Sequence, residues 1–192
     1  KAGTTEPVVK FKADPRGADG KMPGAHSHFR MVRKTARGTY LVCCSSANVV
    51  REYDAHGTLV WEQPTPRLAS GHAPLAFDAL RRANGNTLIS HLGAITEFTP
   101  DHRIVWQFTC ADAPELKLDN LCGIWEKPNG NLVVGTYANG AADGSRATAF
   151  EITREKTVVW SYAAPGARTS MMTAFPVETA RWPLPLKAKT AE

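Results

Sequence analysis

Two repeated patterns predict an all-β chain assembled from four-stranded sheets. The first is the trio Glu52-Tyr53-Asp54-Ala55-His56-Gly57-Thr58-Leu59-Val60-Trp61, Glu97-Phe98-Thr99-Pro100-Asp101-His102-Arg103-Ile104-Val105-Trp106 and Glu151-Ile152-Thr153-Arg154-Glu155-Lys156-Thr157-Val158-Val159-Trp160. Each reads as a strand, a tight polar turn and a second strand ending apolar-apolar-Trp. The three tryptophans follow one another at 45 and 54 residues. The second is Ala36-Arg37-Gly38-Thr39-Tyr40-Leu41-Val42, Ala83-Asn84-Gly85-Asn86-Thr87-Leu88-Ile89 and Pro128-Asn129-Gly130-Asn131-Leu132-Val133-Val134. In it, a Gly-containing turn opens a strand of large or β-branched side chains. A period of this length in an all-β pattern is that of a β-propeller blade.

Taken in order, each unit runs inner strand, Asn-Gly turn, second strand, loop, third strand, polar turn and outer strand with Trp. The Asn-Gly pair supplies residues that tolerate positive φ. The inner strands are the apolar stretches 29–32, 75–80 and 121–125, which places the blades at 26–63, 72–108 and 119–162. The loop 137–146, rich in Gly, Ala and Asn, is expected to protrude between the second and third strands of the last blade. Pro-containing segments 63–66, 111–116 and 163–168 join blade to blade, where ladder pairing stops. Residues 7–12 align with outer strands and 170–178 with inner strands, with a tail at 179–192. The expectation is three whole blades plus strands of two more in a single partial ring. It would be part of a longer propeller, or a half-ring completed by another chain, since an arc leaves sheet faces and edges open.

Composition narrows the partners. The 192 residues carry a net charge of +5, but the basic side chains are scattered rather than gathered on one face with aromatics, so nucleic acid is not the expected partner. No apolar run reaches the roughly 18 residues of a membrane helix. The chain opens on Lys1, which reads as a processed or truncated start. Of the four cysteines, adjacent Cys43 and Cys44 point to opposite sheet faces. Cys110 and Cys122 flank a blade-to-blade connection, where they either bridge or remain buried thiols.

The element Asn84-Gly85-Asn86-Thr87-Leu88-Ile89-Ser90, followed by a strand, a turn and Ile104-Val105-Trp106, resembles the blade repeat of the PQQ-like and arylsulfotransferase-like bacterial β-propellers. The likeness covers about 26–162. It implies a parent ring of roughly six or more blades, a periplasmic or secreted setting and a site at the central channel. Asp78 keeps the inner-strand Asp of that repeat, whereas Ala76 and Phe77 stand where it has His, and Arg30-Met31 and Cys122-Gly123 fill the equivalent places. No catalytic or quinone-binding residue of those enzymes carries over.

The candidate site is the channel rim, where inner strands begin. His26 and His28, two apart on an extended segment, face one side. With His72 they could ligate a divalent metal, the one cofactor expected, or act as acid/base groups. Arg30, Asp78, Asp119, Asn120 and Met171 are placed on the same rim. Arg30 with the histidines suits a sulfate, phosphate or carboxylate; alternatively, Arg30 and Asp78 pair across neighbouring blades. Trp61, Trp106 and Trp160 are expected to pack between sheets with bonded indole N–H groups, leaving Trp125 freer to meet a ligand. His56 and His102 are expected as solvated turn residues. Two functional readings follow: a propeller module binding a partner chain or a small anionic or sugar-like ligand, and a propeller enzyme, arylsulfotransferase-like or metal-dependent, acting on such a substrate.

Overall fold

The computed structural model describes residues 9–17, 19–24, 28–137, 139–164, 171, 173 and 174. Among them lie three antiparallel four-stranded meanders, each in sequence order. The first blade is β1 (Val32–Lys34), β2 (Tyr40–Cys44), β3 (Val49–Tyr53) and β4 (Leu59–Pro64). The second is β5 (Ala76–Arg81), β6 (Thr87–His91), β7 (Ala94–Phe98) and β8 (Ile104–Thr109). The third is β9 (Leu121–Glu126), β10 (Leu132–Thr136), β11 (Ala149–Ile152) and β12 (Val158–Tyr162).

Turn chemistry sets the blade geometry. In the first hairpins only Gly38, Gly85 and Gly130 take positive φ, between 84° and 88°. The preceding Asn84 and Asn129 do not, contrary to expectation; their Oδ1 atoms accept the backbone N–H of Asn86 and Asn131 at 3.0 and 3.1 Å. The Asn is selected as a turn acceptor and the Gly for its backbone. In the outer hairpins the positive-φ position is filled by Gly57, His102 and Lys156 in turn.

Adjacent blades share their cores. Leu41, Cys43 and Val50 of the first blade pack with Ala76, Ala79, Ile89 and Phe98 of the second. Leu88, Ile95 and Phe108 of the second pack with Leu121, Ile124, Leu132 and Phe150 of the third. Cys43 and Cys44 do diverge, Cys43 into the inter-blade core and Cys44 into a cluster with Phe11 and Ala13. All four cysteines are free, so Cys110 and Cys122 make no bridge.

A recurrent polar clasp crosses each blade boundary. The third-strand glutamates Glu52, Glu97 and Glu151 each accept from the residue at or just before the start of the second strand: Thr39 Oγ1 at 2.5 Å, Asn86 Nδ2 at 2.7 Å and Asn131 Nδ2 at 2.7 Å. Glu52 also meets Arg81, and Glu97 meets Arg154, each an arginine of the following blade. The tryptophans follow the same boundary. Trp61 Nε1 donates to Pro100 O at 3.3 Å and Trp106 Nε1 to Arg154 O at 2.8 Å, both in the next blade's outer hairpin. Arg81 and Arg154 lie over these two indoles, 4.7 and 4.0 Å from the centroids. His102 is exposed in its turn, as expected, and in addition stacks on Trp61 at 5.8 Å and donates Nδ1–H to Gln63 Oε1. Trp160 departs from its expected packing: it is 49% exposed, because no described blade follows the third.

The ends behave differently. Residues 9–12 pair with no strand; Phe11 lies against Tyr40 and Tyr53, and a Cβ on Gly57 would stand 2.7 Å from Phe11 Cβ. Phe11 thus covers the first blade's outer hairpin as Trp61 covers the second's. Of 170–178 only Met171, Thr173 and Ala174 are described. Met171 N–H donates to Thr136 O at 2.9 Å, close to the way Leu121, opening β9, donates to Leu92 O. The loop 137–146 does not simply protrude. Buried Asn139 donates to Ala147 O, and Ala147 N–H to Leu116 O, tying the loop's base to the β8–β9 connection.

Candidate functional site

The first strands of the blades converge on Asp78, which is fully buried. Its carboxylate accepts Arg33 Nε at 2.8 Å and Nη2 at 2.5 Å from β1, and Ile124 N–H at 3.0 Å from β9. Arg33 Nη2 also donates to Ile124 O at 2.6 Å. Beside this node Ser90 accepts Asp78 N–H and donates to Cys122 O. One carboxylate therefore joins three blades. The inter-blade partner of Asp78 is Arg33 and not Arg30: Arg33 sits within β1, whereas Arg30 precedes that strand and reaches Phe77. Burial works against the Arg33 charge, and the Asp78 hydrogen bonds and charge together outweigh it, leaving its pKa above the ordinary value. Asp78 is a structural keystone with its oxygens committed.

At the mouth where these strands begin, Arg30, Phe77 and Cys122 occupy equivalent places. The Arg30 guanidinium lies 5.3 Å from the Phe77 centroid, and Phe77 leans on Tyr137 at 5.9 Å. Arg30 Nε is buried without a hydrogen-bond partner. Burial pushes the Cys122 thiol up to about 12, with the Arg30 charge acting the other way, so it is no thiolate nucleophile near neutral pH.

A second group forms beside it. His72 Nε2 lies 3.1 Å from Asp119 Oδ1, and its Nδ1 lies 2.8 Å from Ser70 Oγ. Asn120 Nδ2 donates to Asp119 Oδ2 at 3.4 Å, and Asn120 O accepts Tyr137 N–H, which links the two groups. Gly93 lets His72 approach: a Cβ there would stand 2.9 Å from the ring. His91, unassigned by sequence, is fully buried with Nε2 3.0 Å from Thr96 Oγ1, and burial, aided by the nearby His72 charge, lowers its pKa to about 4.

The rim residues thus divide. His72, Asp119 and Asn120 come together, Arg30 stands with Phe77 and Tyr137, and Met171 reaches the end of β10. His28 donates Nε2–H to Pro23 O at 2.7 Å. His26 lies outside the described residues, and among these no three His, Cys, Asp or Glu side chains group as a metal site. At the opposite end of the inner strands, an open cleft of about 310 Å³ is lined by Arg33, Leu41, Leu80, Arg81 and Trp125. The Arg33 guanidinium lies 5.9 Å from the Trp125 ring there.

No known protein family matches the chain by sequence, and no curated protein does. Solved structures match it by fold. A protein of unknown function from Bacteroides caccae superposes with a TM-score of 0.60 at 22% identity, over 72% of this chain and 50% of that one. Virginiamycin B lyase from Staphylococcus aureus gives 0.52 at 13% identity, over 81% and 50%. The extracellular domain of a hybrid two-component system from B. thetaiotaomicron gives 0.51 at 16% identity, over 76% and 21%. The chain spans half the length of the first two. Among the described residues no helix is long and apolar enough to cross a membrane. The fold is that of a β-propeller, with three blades among the described residues.

Proposed function

We propose that this chain is the blade segment of a ligand-binding β-propeller, continued across its third-blade face by a further blade of the same repeat. The observation that supports it is the clasp, made twice and left half-made. Glu151 holds its own-blade partners, Asn131 at 2.7 Å and Lys127 at 3.0 Å, but among the described residues it meets no arginine from a following blade. Trp160 and Tyr162, stacked at 6.5 Å, stand open beside it. An exposed aromatic face of this kind marks an interaction surface.

Binding is favoured over catalysis because the described histidines of the rim are engaged, His72 with Asp119 and His28 with Pro23 O. The likeness to PQQ-like and arylsulfotransferase-like propellers rests on the blade repeat alone. A setting outside the cytoplasm draws support from the extracellular B. thetaiotaomicron domain. Sedimentation velocity tests the reading. The isolated chain is expected to associate through the third-blade face, and Trp160→Asp to suppress that association. A well-behaved monomer of 20.9 kDa contradicts it.

A further inference from the structure

The arginines that lie between blades each meet a carboxylate: Arg33 with Asp78, Arg81 with Glu52, Arg82 with Glu97 and Glu126, Arg154 with Glu97. Arg30 breaks the pattern. It is half-buried at the channel mouth, forms no ion pair among the described residues, and keeps its Nε shut from solvent without an acceptor. Its guanidinium lies over the Phe77 ring, 5.3 Å from the centroid. A ring face offsets only part of the cost of withdrawing a guanidinium from water, and a buried donor left unpaired adds to that cost. At the neighbouring keystone Arg33, Asp78 and Ile124 are paired with one another, which Arg30 is not.

We infer that Arg30 seats the carboxylate of a small ligand whose flat apolar body lies against Tyr137. This rests on the binding-module reading and gives that module its ligand class. The planar guanidinium presents paired N–H groups matched to a planar carboxylate. Tyr137, 39% exposed and leaning on Phe77, offers the open ring beside it. Charge selects the single anion. Asp119, with its side chain 53% exposed, lies on the same mouth and opposes a dianion such as a phosphate monoester. The residues named lie on β5 and on the segments before β1, before β9 and after β10, all in the described blades, so the seat does not wait on a further blade.

Isothermal titration with phenylacetate, phenyl sulfate, phenyl phosphate and uncharged phenethyl alcohol tests the assignment. Phenylacetate is expected to bind and phenethyl alcohol to bind at least about tenfold more weakly. Arg30→Gln is expected to lose at least about tenfold in phenylacetate affinity, Arg30→Lys less, and Tyr137→Ala several-fold with the preference for anions kept. Circular dichroism establishes that each variant is folded, and the lysine variant, which keeps the charge, carries the test if the glutamine variant is not. Three results overturn the proposal: no phenylacetate binding to the unaltered chain below about 10 mM, equal binding by folded Arg30 variants, or a preference for phenyl sulfate or phenyl phosphate. Sedimentation of the same samples reads the ring separately, since a chain that fails to associate can still bind phenylacetate, and the reverse.

Discussion

Trp106 and Arg154 hold each other by both ends. The indole N–H donates to the Arg154 carbonyl at 2.8 Å, and the Arg154 guanidinium covers the same ring at 4.0 Å while pairing with Glu97 beside it. One residue of the third blade thereby answers both the aromatic and the acidic residue of the second. This double contact is the unit from which the arc is built, and removing either side should be felt across the boundary.

Trp106→Ala is expected to cost about 3–5 kcal/mol, the range for large aromatic truncations at a packed site. Trp160→Ala, at the same place in the repeat but 49% exposed, is expected to cost below about 1 kcal/mol in the isolated chain. Urea denaturation of the two variants checks this, and equal losses would deny that Trp106 is special to a boundary.

Glu97 is buried and accepts from Asn86, Arg82 and Arg154. Glu97→Ala leaves two arginines facing an empty place and is expected to cost about 3–5 kcal/mol. Burial alone would raise the Glu97 pKa; the hydrogen bonds from Asn86 and Arg82 and the charges of Arg154 and Arg82 outweigh it and hold it below the ordinary range. Because the folded value is the lower one, the stabilisation is present above the unfolded pKa of about 4.3 and is lost as pH falls through the folded value. Glu97→Gln should flatten the acid limb of the stability profile.

His91 titrates in a higher window. Its folded pKa of about 4 lies below the ordinary 6.5 of a histidine, because burial disfavours the imidazolium. Between these values the unfolded chain binds more protons, so stability falls as pH drops from 6.5 toward 4, by on the order of 3 kcal/mol in all. His91→Gln is expected to remove that slope and leave the acid limb due to Glu97. Chemical denaturation at pH 7 and pH 5 measures it.

Gly57 and Gly130 separate backbone strain from packing. Both take positive φ, +87° and +85°, but a Cβ on Gly57 would meet Phe11 at 2.7 Å while one on Gly130 meets nothing within 4 Å. Gly130→Ala is expected to cost about 1–2 kcal/mol from backbone strain. Gly57→Ala should cost more and release residues 9–16 from the first blade, seen as faster amide exchange at Asp14, whose N–H donates to the Tyr53 hydroxyl.

The blades themselves were legible because the code is periodic: the Gly turn, the β-branched strand and the terminal Trp recur at fixed places. The clasp was half legible. Glu52, Glu97 and Glu151 recur visibly, but their inter-blade partners come from unlike places in the repeat, Arg81 at the end of β5 and Arg154 in the β11–β12 turn, so no spacing rule exposes them. The rim suffered from register. Arg30 and Arg33 are three residues apart, and which one meets Asp78 depends on where β1 begins, a matter of a residue or two that hydrophobic pattern does not resolve. His72 and Asp119 lie 47 residues apart, and their meeting follows only from the folded arc.

The environment of Glu151 and Trp160 in the complete protein, determined by crystallography of the molecule as isolated from its source, weighs most heavily on this account. A guanidinium or ammonium group from an adjoining four-stranded sheet on the Glu151 carboxylate, with the Trp160 indole N–H donating to a turn carbonyl of that sheet, is the predicted result. Both side chains facing bulk water in the intact protein would contradict it.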